Sequence, residues 1–215
     1  QTAEKIDEAV SSIRDLVADG KTVLFVGTKH QAQEAIESQA KRCGMPYITN
    51  RWLGGTLTNF NSIQSRIDYL VRLEDSKARG EFDKLGKKEV KRLDDEIDRL
   101  NRNLDGVKEM TAIPGAVFII DSVKEHIAIA EAIRVGTFTV AMADTNSNPD
   151  GIDYPIPGND DARRSIDLYC NLIKETILNA KKEAPTIIED KIEIKNKNNK
   201  DKKTEEKKSL EKKVN

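Results

Sequence analysis

At 215 residues the chain is long enough for one sizeable hydrophobic core with something left over. It is 37% hydrophobic and 34% charged with a net charge of -1, which excludes a chain-wide polyanion-binding surface and confines any nucleic-acid site to a local patch. Two widely separated cysteines, Cys43 and Cys170, argue against a disulfide framework or a zinc site and fit a reducing compartment, and no apolar run is long enough to span a membrane.

In chain order, Ile6, Val10, Ile13 and Val17 recur at helical spacing, and Gly20 is placed to end that helix. Thr22–Val26 reads as a buried strand closed by Gly27-Thr28-Lys29-His30-Gln31. A helix to about Arg42 follows, with Ala32, Ile36 and Ala40 inward. Pro46–Thr49 is a second short strand. Ala116–Asp121 is a third, followed by a helix marked by Ile127, Ala130 and Ile133 and stopped at Gly136. Phe138–Asp144 is the fourth strand, and the proline-interrupted Tyr154–Gly158 suits a fifth at a sheet edge. Ala162, Ile166, Tyr169, Ile173 and Ile177 mark the last helix, with Pro185 shortly beyond it. Alternating strands and helices predict a doubly wound parallel sheet, α/β in class, with the loops after all five strands gathered at one edge.

The alternation is interrupted between the second and third strands. Ile63, Ile67 and Leu70, then Val90, Leu93, Ile97, Leu100, Leu104 and Val107, form helical stripes, the second alternating three and four as a coiled-coil seam does. An antiparallel coiled-coil hairpin over 61–110 is therefore expected, inserted in a sheet domain formed by 1–60 and 111–182. From about Glu183 the chain is mostly Lys, Glu, Asn and Asp, and 183–215 reads as a disordered, solvated tail.

The stretch Asn50–Phe60 holds the only Trp, set between Arg51 and the Gly54-Gly55 pair and followed by Thr56, Thr58 and Asn59. Adjacent glycines permit positive φ and close backbone approach. Arg51 and Trp52 are residue types that stack on bases or anchor interfaces. A tight loop whose Trp covers the core fits the same residues equally well.

Gly27-Thr28-Lys29-His30 has neither P-loop nor dinucleotide-binding spacing, so an ordinary strand-to-helix turn is the better reading, with Lys29 able to meet a phosphate. His30 and His126, with Asp121 and Asp144, can be drawn as an acid–base or metal site, but no nucleophile elbow or His-x-x-x-His spacing supports one. Asp121-Ser122 and Asn159-Asp160 read as helix caps. Arg163 and Arg164 oppose a helix dipole in its first turn, which Asp160 and Asp161 partly offset and a bound anion would relieve. Lys29, Arg51, Arg163 and Arg164 together make a local basic patch credible at the sheet edge.

These residues fall into a recognisable series. Arg42–Tyr47, Asn50–Phe60, Phe82–Leu85, Glu125–Ala128, Asp144–Gly151 and Ile156–Ala162, in this order, closely resemble the bacterial-type S-two family of small-subunit ribosomal proteins over roughly residues 1–181. That resemblance implies a flavodoxin-like five-stranded sheet with an inserted coiled-coil hairpin, no enzymatic activity, no cofactor and no metal. It implies a component of the cytoplasmic ribosome (an organelle source stays open) that binds small-subunit rRNA between head and body. Neighbouring small-subunit proteins, including the mRNA-binding protein S-one, become expected partners, with no membrane and no homo-oligomer. Lys29, Arg51, Arg163 and Arg164 are the expected RNA contacts, and Trp52, Gly54, Gly55, Thr56 and Asn59 the structural motif. The family begins with a further segment bearing a His-Phe-Gly-His-type motif, whose contacts cannot be assigned to this chain. The alternative is a nucleotide-binding or enzymatic module on the same sheet edge.

Overall fold

The computed structural model describes residues 2–183; the tail expected over 183–215 lies, but for Glu183, outside the described residues. Helix α1 (Thr2–Ala18) precedes strand β1 (Val23–Val26), α2 (His30–Cys43) and β2 (Tyr47–Ile48). Helices α3 (Phe60–Ala78) and α4 (Lys87–Leu104) come next, each followed by a short 3-10 turn. Strand β3 (Ala116–Ile119), α5 (His126–Val135), β4 (Phe138–Ala143) and β5 (Tyr154–Pro157) complete the sheet, and a last helix, α6, runs over 163–183.

All five strands are parallel in the order β2-β1-β3-β4-β5, the flavodoxin-like arrangement. β1 and β3 are buried at every position, as strands covered on both faces must be. One face of the sheet packs on α1, α2 and α6 through residues such as Ile13, Ile36, Phe25, Phe118 and Ile173. The other meets α3, α4 and α5 through Leu24, Val117, Ile119, Leu70, Ala128 and Ala132, and Trp52 belongs to this second core. The expected helical pair is present: Ile63, Ile67 and Leu70 of α3 are buried with Phe82, Ile97 and Leu104.

Helix α5 departs from the sequence reading. Ile127 and Ile133 of its apparent stripe are 49% and 52% exposed, while Ala128, Ile129, Glu131 and Ala132 face inward. A helix this short that is apolar nearly all round leaves its period ambiguous. Two alanines let it approach the sheet closely, and the hydrogen bonds of Glu131 fix its rotation.

Between the 3-10 turn Asp105–Val107 and β2 the backbones nearly touch. A Cβ on Gly106 would lie 2.2 Å from the Tyr47 carbonyl oxygen, a clash no rotamer relieves. Gly106→Ala is therefore expected to destabilise the fold by about 1–3 kcal/mol, measured as a lowered urea midpoint; an unchanged midpoint would show that the two segments separate freely.

Candidate nucleic-acid interface

Because the strands are parallel, the loops after them converge on the carboxyl edge of the sheet, and three of these loops are tied by one ammonium group. Lys29 Nζ lies 3.2 Å from Asp121 Oδ2, 2.8 Å from Asp160 Oδ1 and 2.5 Å from Asp161 Oδ1, linking the loops after β1, β3 and β5. Partial burial works against its charge, but the hydrogen bonds it donates to Asp160, Asp161 and Asp121 outweigh this and hold its pKa well above the ordinary lysine value. Thr28, beside it, donates its N–H (3.1 Å) and hydroxyl (2.5 Å) to the buried Glu125. Lys124 Nζ closes the same turn on the Thr28 carbonyl.

Asp121 bears some strain here. Its φ of 69° is the single positive value outside glycine among the described residues, a conformation costing about 1–2 kcal/mol for an ordinary L-residue and less for Asp. Its Oδ1 accepts from Lys124 N–H at 3.0 Å and its Oδ2 meets Lys29, so both oxygens are used. Asn159, expected as a cap of α6, instead closes the turn before it, accepting from the N–H groups of Asp161 and Ala162, and Ala162 takes the N-cap position with its carbonyl accepting from Ser165 and Ile166. Asp144, Asp160 and Asp161 offer carboxylate oxygens within 4.8 Å of one another, a spacing that suits a divalent cation. Lys29 already supplies countercharge to two of them.

The Trp stretch is organised by a residue absent from the sequence-predicted set. Glu131 of α5, 8% exposed, accepts from Trp52 Nε1 at 3.0 Å and Gly55 N–H at 2.7 Å through Oε1. Its Oε2 accepts from Leu57 N–H at 3.0 Å and from the N–H and hydroxyl of Thr58 at 3.2 and 3.1 Å. Gly55 adopts φ 90°, and its Cβ-free approach lets the backbone curl round the carboxylate. Thr56 turns inward, donating its hydroxyl to the Leu53 carbonyl. Burial alone would raise the Glu131 pKa, but the hydrogen bonds from Trp52, Gly55, Leu57 and Thr58 prevail and lower it. The signal for this residue is in the sequence: Glu131 is the one acidic residue in the apolar run His126–Val135, and a buried carboxylate needs donors.

Trp52 is 7% exposed and packs in the second core, while Arg51 stands in solvent beside it. Gly54 and Asn59 are also exposed; Asn59 precedes α3 and accepts from the Ser62 hydroxyl. Arg163 and Arg164 open α6, both exposed. None of these three arginines has an ion pair or side-chain hydrogen bond to another described residue.

The predicted cations therefore form no compact patch. Arg51 follows β2 and the Arg163–Arg164 pair follows β5, at opposite margins of the five-stranded sheet, about 19 Å apart at ordinary strand spacing. Lys29 lies between them, neutralised by three aspartates. The edge is cationic at its margins and acidic at its centre.

The model for the family described as "Ribosomal protein S2" matches residues 1–180. A small ribosomal subunit protein uS2 from Dehalococcoides mccartyi strain BAV1 is 56% identical over 180 residues, covering 84% of this chain and 74% of the relative. A protein of the same name from Treponema pallidum strain Nichols is 53% identical over 180 residues, covering 84% of this chain and 62% of the relative.

Trp52→Ala removes a nearly buried ring and is expected to cost about 3–5 kcal/mol, read from thermal or urea unfolding; an unmoved transition would show that the ring does not anchor packing. Glu131→Gln places an amide N–H₂ among donors and is expected to cost about 2–4 kcal/mol near neutral pH. The sign in acid follows from the lowered pKa. The stabilisation is present above the ordinary carboxylate value of 4.5 and is lost as pH falls through the lower native value. The gap between parent and Glu131→Gln should thus close on acidification; a gap constant from pH 7 to pH 3 would contradict the charged network.

Proposed function

The chain belongs to the ribosomal protein S2 family, structural components of the small ribosomal subunit rather than enzymes, and on that premise we propose how it engages RNA. Arg51 at one margin of the sheet edge and Arg163 with Arg164 at the other act as separate phosphate contacts on small-subunit rRNA between head and body. The observation that supports this most directly is that all three guanidinium groups are solvent-exposed on a chain of net charge -1, with no carboxylate partner among the described residues. A fork of donors held at a fixed position suits phosphate oxygens.

Lys29 enters this reading differently from the arginines. Its ammonium is taken up by Asp121, Asp160 and Asp161, so it fixes the loops that present Arg163 and Arg164; a phosphate would have to displace a carboxylate to reach it. Trp52, Gly54, Gly55, Thr56 and Asn59 set the shape of the loop that carries Arg51.

The inserted unit over 61–110, read as a coiled-coil hairpin, supplies a second contact surface. Its tip over 77–92 carries Lys77, Arg79, Lys84, Lys87, Lys88, Lys91 and Arg92 against Glu81, Asp83 and Glu89. In the cytoplasmic ribosome the assembled surface supports recruitment of the mRNA-binding protein S-one, and the chain acts as a single copy. The nucleotide-binding alternative is disfavoured by charge: a phosphate at the β1–β3 switch point would face Asp121, Asp160 and Asp161 beside Lys29.

The test is sedimentation of the chain with small subunits across a salt series. Arg163→Ala with Arg164→Ala should weaken association and flatten the dependence of log K on log salt by about one to two units. An unchanged slope removes both residues from the RNA surface. A chain that stays unbound even at low salt defeats the RNA-binding reading.

A further inference from the structure

Helix α5 turns one apolar face to the sheet and a second to solvent. Val123, just before the helix, and Ile127, Ala130 and Ile133 within it are all exposed. Apolar groups gathered on one helix face mark a contact site, whereas single exposed ones need no explanation. The loop 146–152 after β4 runs alongside, with Gly151 at φ 84° pressed so close that a Cβ there would lie 3.1 Å from Ile133 Cδ1. Between helix and loop lies a cavity of about 390 Å³ walled by Val123, Ile129, Ile133 and Ile152.

Ser122 lines this cavity at 5% exposure, and its Oγ has no hydrogen-bond partner. Expected with Asp121 to cap the helix, it caps nothing, since Asp121 Oδ1 accepts the Lys124 N–H. A buried hydroxyl left unpaired is destabilising, and a polar group arriving in the cavity would satisfy it. Two more donors stand on the loop side. Asn148 Oδ1 accepts from the Asp150 N–H at 3.0 Å and Asn146 Oδ1 from the Ser147 hydroxyl at 3.5 Å, while neither amide N–H₂ group donates to another described residue. His126 Nδ1 gives its hydrogen to the Val123 carbonyl at 3.1 Å, which leaves Nε2 as an acceptor. Aliphatic walls with a few converging polar groups are the makings of a binding site.

Charge selects the occupant. Asp150 is the one Asp, Glu, Lys or Arg of the lining, exposed and without an ion pair among the described residues, and Asp144 precedes it on the same loop. RNA fits such a place poorly: a base would find a single ring to stack on, His126, and its phosphate would face Asp150. We propose that the cavity is the docking site for a segment of a neighbouring small-subunit protein that carries an aliphatic side chain beside a lysine or arginine. The aliphatic group enters between Val123, Ile129, Ile133 and Ile152, the segment's peptide groups bond the Ser122 hydroxyl and the two Asn amides, and the cation meets Asp150. The inference rests on the chain's place in the small subunit and is separate from the phosphate contacts of Arg51, Arg163 and Arg164.

The experiment measures association of the full chain with small subunits that lack it, over a salt series. Ser122→Ala deletes only the unpaired hydroxyl. It should weaken association about three- to tenfold at every salt concentration, with the slope of log K unchanged, while the urea midpoint of the free chain stays level or rises. Ile133→Asp, at an exposed position, should weaken association about tenfold, again without a change of slope. Unaltered association in both variants would overturn the docking, whereas failure of the phosphate reading shows only in the slope of the arginine variants. Asp150→Lys should also weaken association; tighter binding with a steeper salt slope would overturn the proposal in favour of RNA. To identify the occupant, Ile133→Cys labelled with a benzophenone maleimide is irradiated in the assembled subunit. The label goes to position 133 alone, because Cys43 and Cys170 are buried, their thiols pushed up to about 11 and about 12. It should attach to another subunit protein, and Asp150→Lys should abolish that product; attachment to rRNA or to a second copy of this chain would overturn the proposal.

Discussion

The carboxylate of Glu131 is the contact on which the shape of the Trp loop depends. A buried negative charge is tolerated only if donors surround it, and here the Trp52 indole, the backbone of Gly55, Leu57 and Thr58, and the Thr58 hydroxyl all converge on it. The consequences run in two directions along the chain. Upstream, seating Trp52 in the second core leaves the adjacent Arg51 pointing to solvent. Downstream, fixing Leu57 and Thr58 sets where α3 begins at Phe60, and hence how the inserted helices leave the sheet. One side chain on α5 thus aligns a candidate RNA-contacting arginine and the start of α3.

The Lys29 cluster does the comparable work across the switch point of the sheet. In folds of this topology the crevice between the two central strands is where small ligands bind. Here it holds an internal ammonium bound to carboxylates from two other loops. Such a partly buried cluster locks loop positions at the expense of an open anion site, which fits a chain whose family role is structural. It also sorts the charges along the edge. The centre carries three aspartates about one ammonium, and the arginines that stand free of carboxylate partners among the described residues lie at the margins.

Much of the fold was legible because buried parallel strands and amphipathic helices impose strong periodicities. Val23–Val26 and Ala116–Ile119 are continuous apolar runs, Phe138–Ala143 is apolar but for Thr139, and Gly44 and Gly136 end their helices in the left-handed conformation that glycine favours. The site was legible only as far as residue type goes. Trp52, Gly55 and Thr56 stood out by composition, but their organiser lies some 75 positions later on α5. That helix was also the one whose inward face periodicity misassigned. Apolar residues on nearly every side of α5 left the stripe Ile127–Ile133 as persuasive as the true face. The cation patch failed for another reason: sequence shows which charges share an edge, but not that Asp121, Asp160 and Asp161 converge on Lys29 from separate loops.

The central claim is that the Trp loop is a preorganised element held by Glu131 and not an ordinary surface turn. Native-state hydrogen exchange at the amides of Gly55, Leu57 and Thr58 tests this most directly, because each donates to that carboxylate. These amides should exchange only through large-scale opening, as slowly as amides of the central strands β1 and β3. Exchange at the fast rates of solvated loop amides would contradict the account and leave Arg51 without a fixed platform.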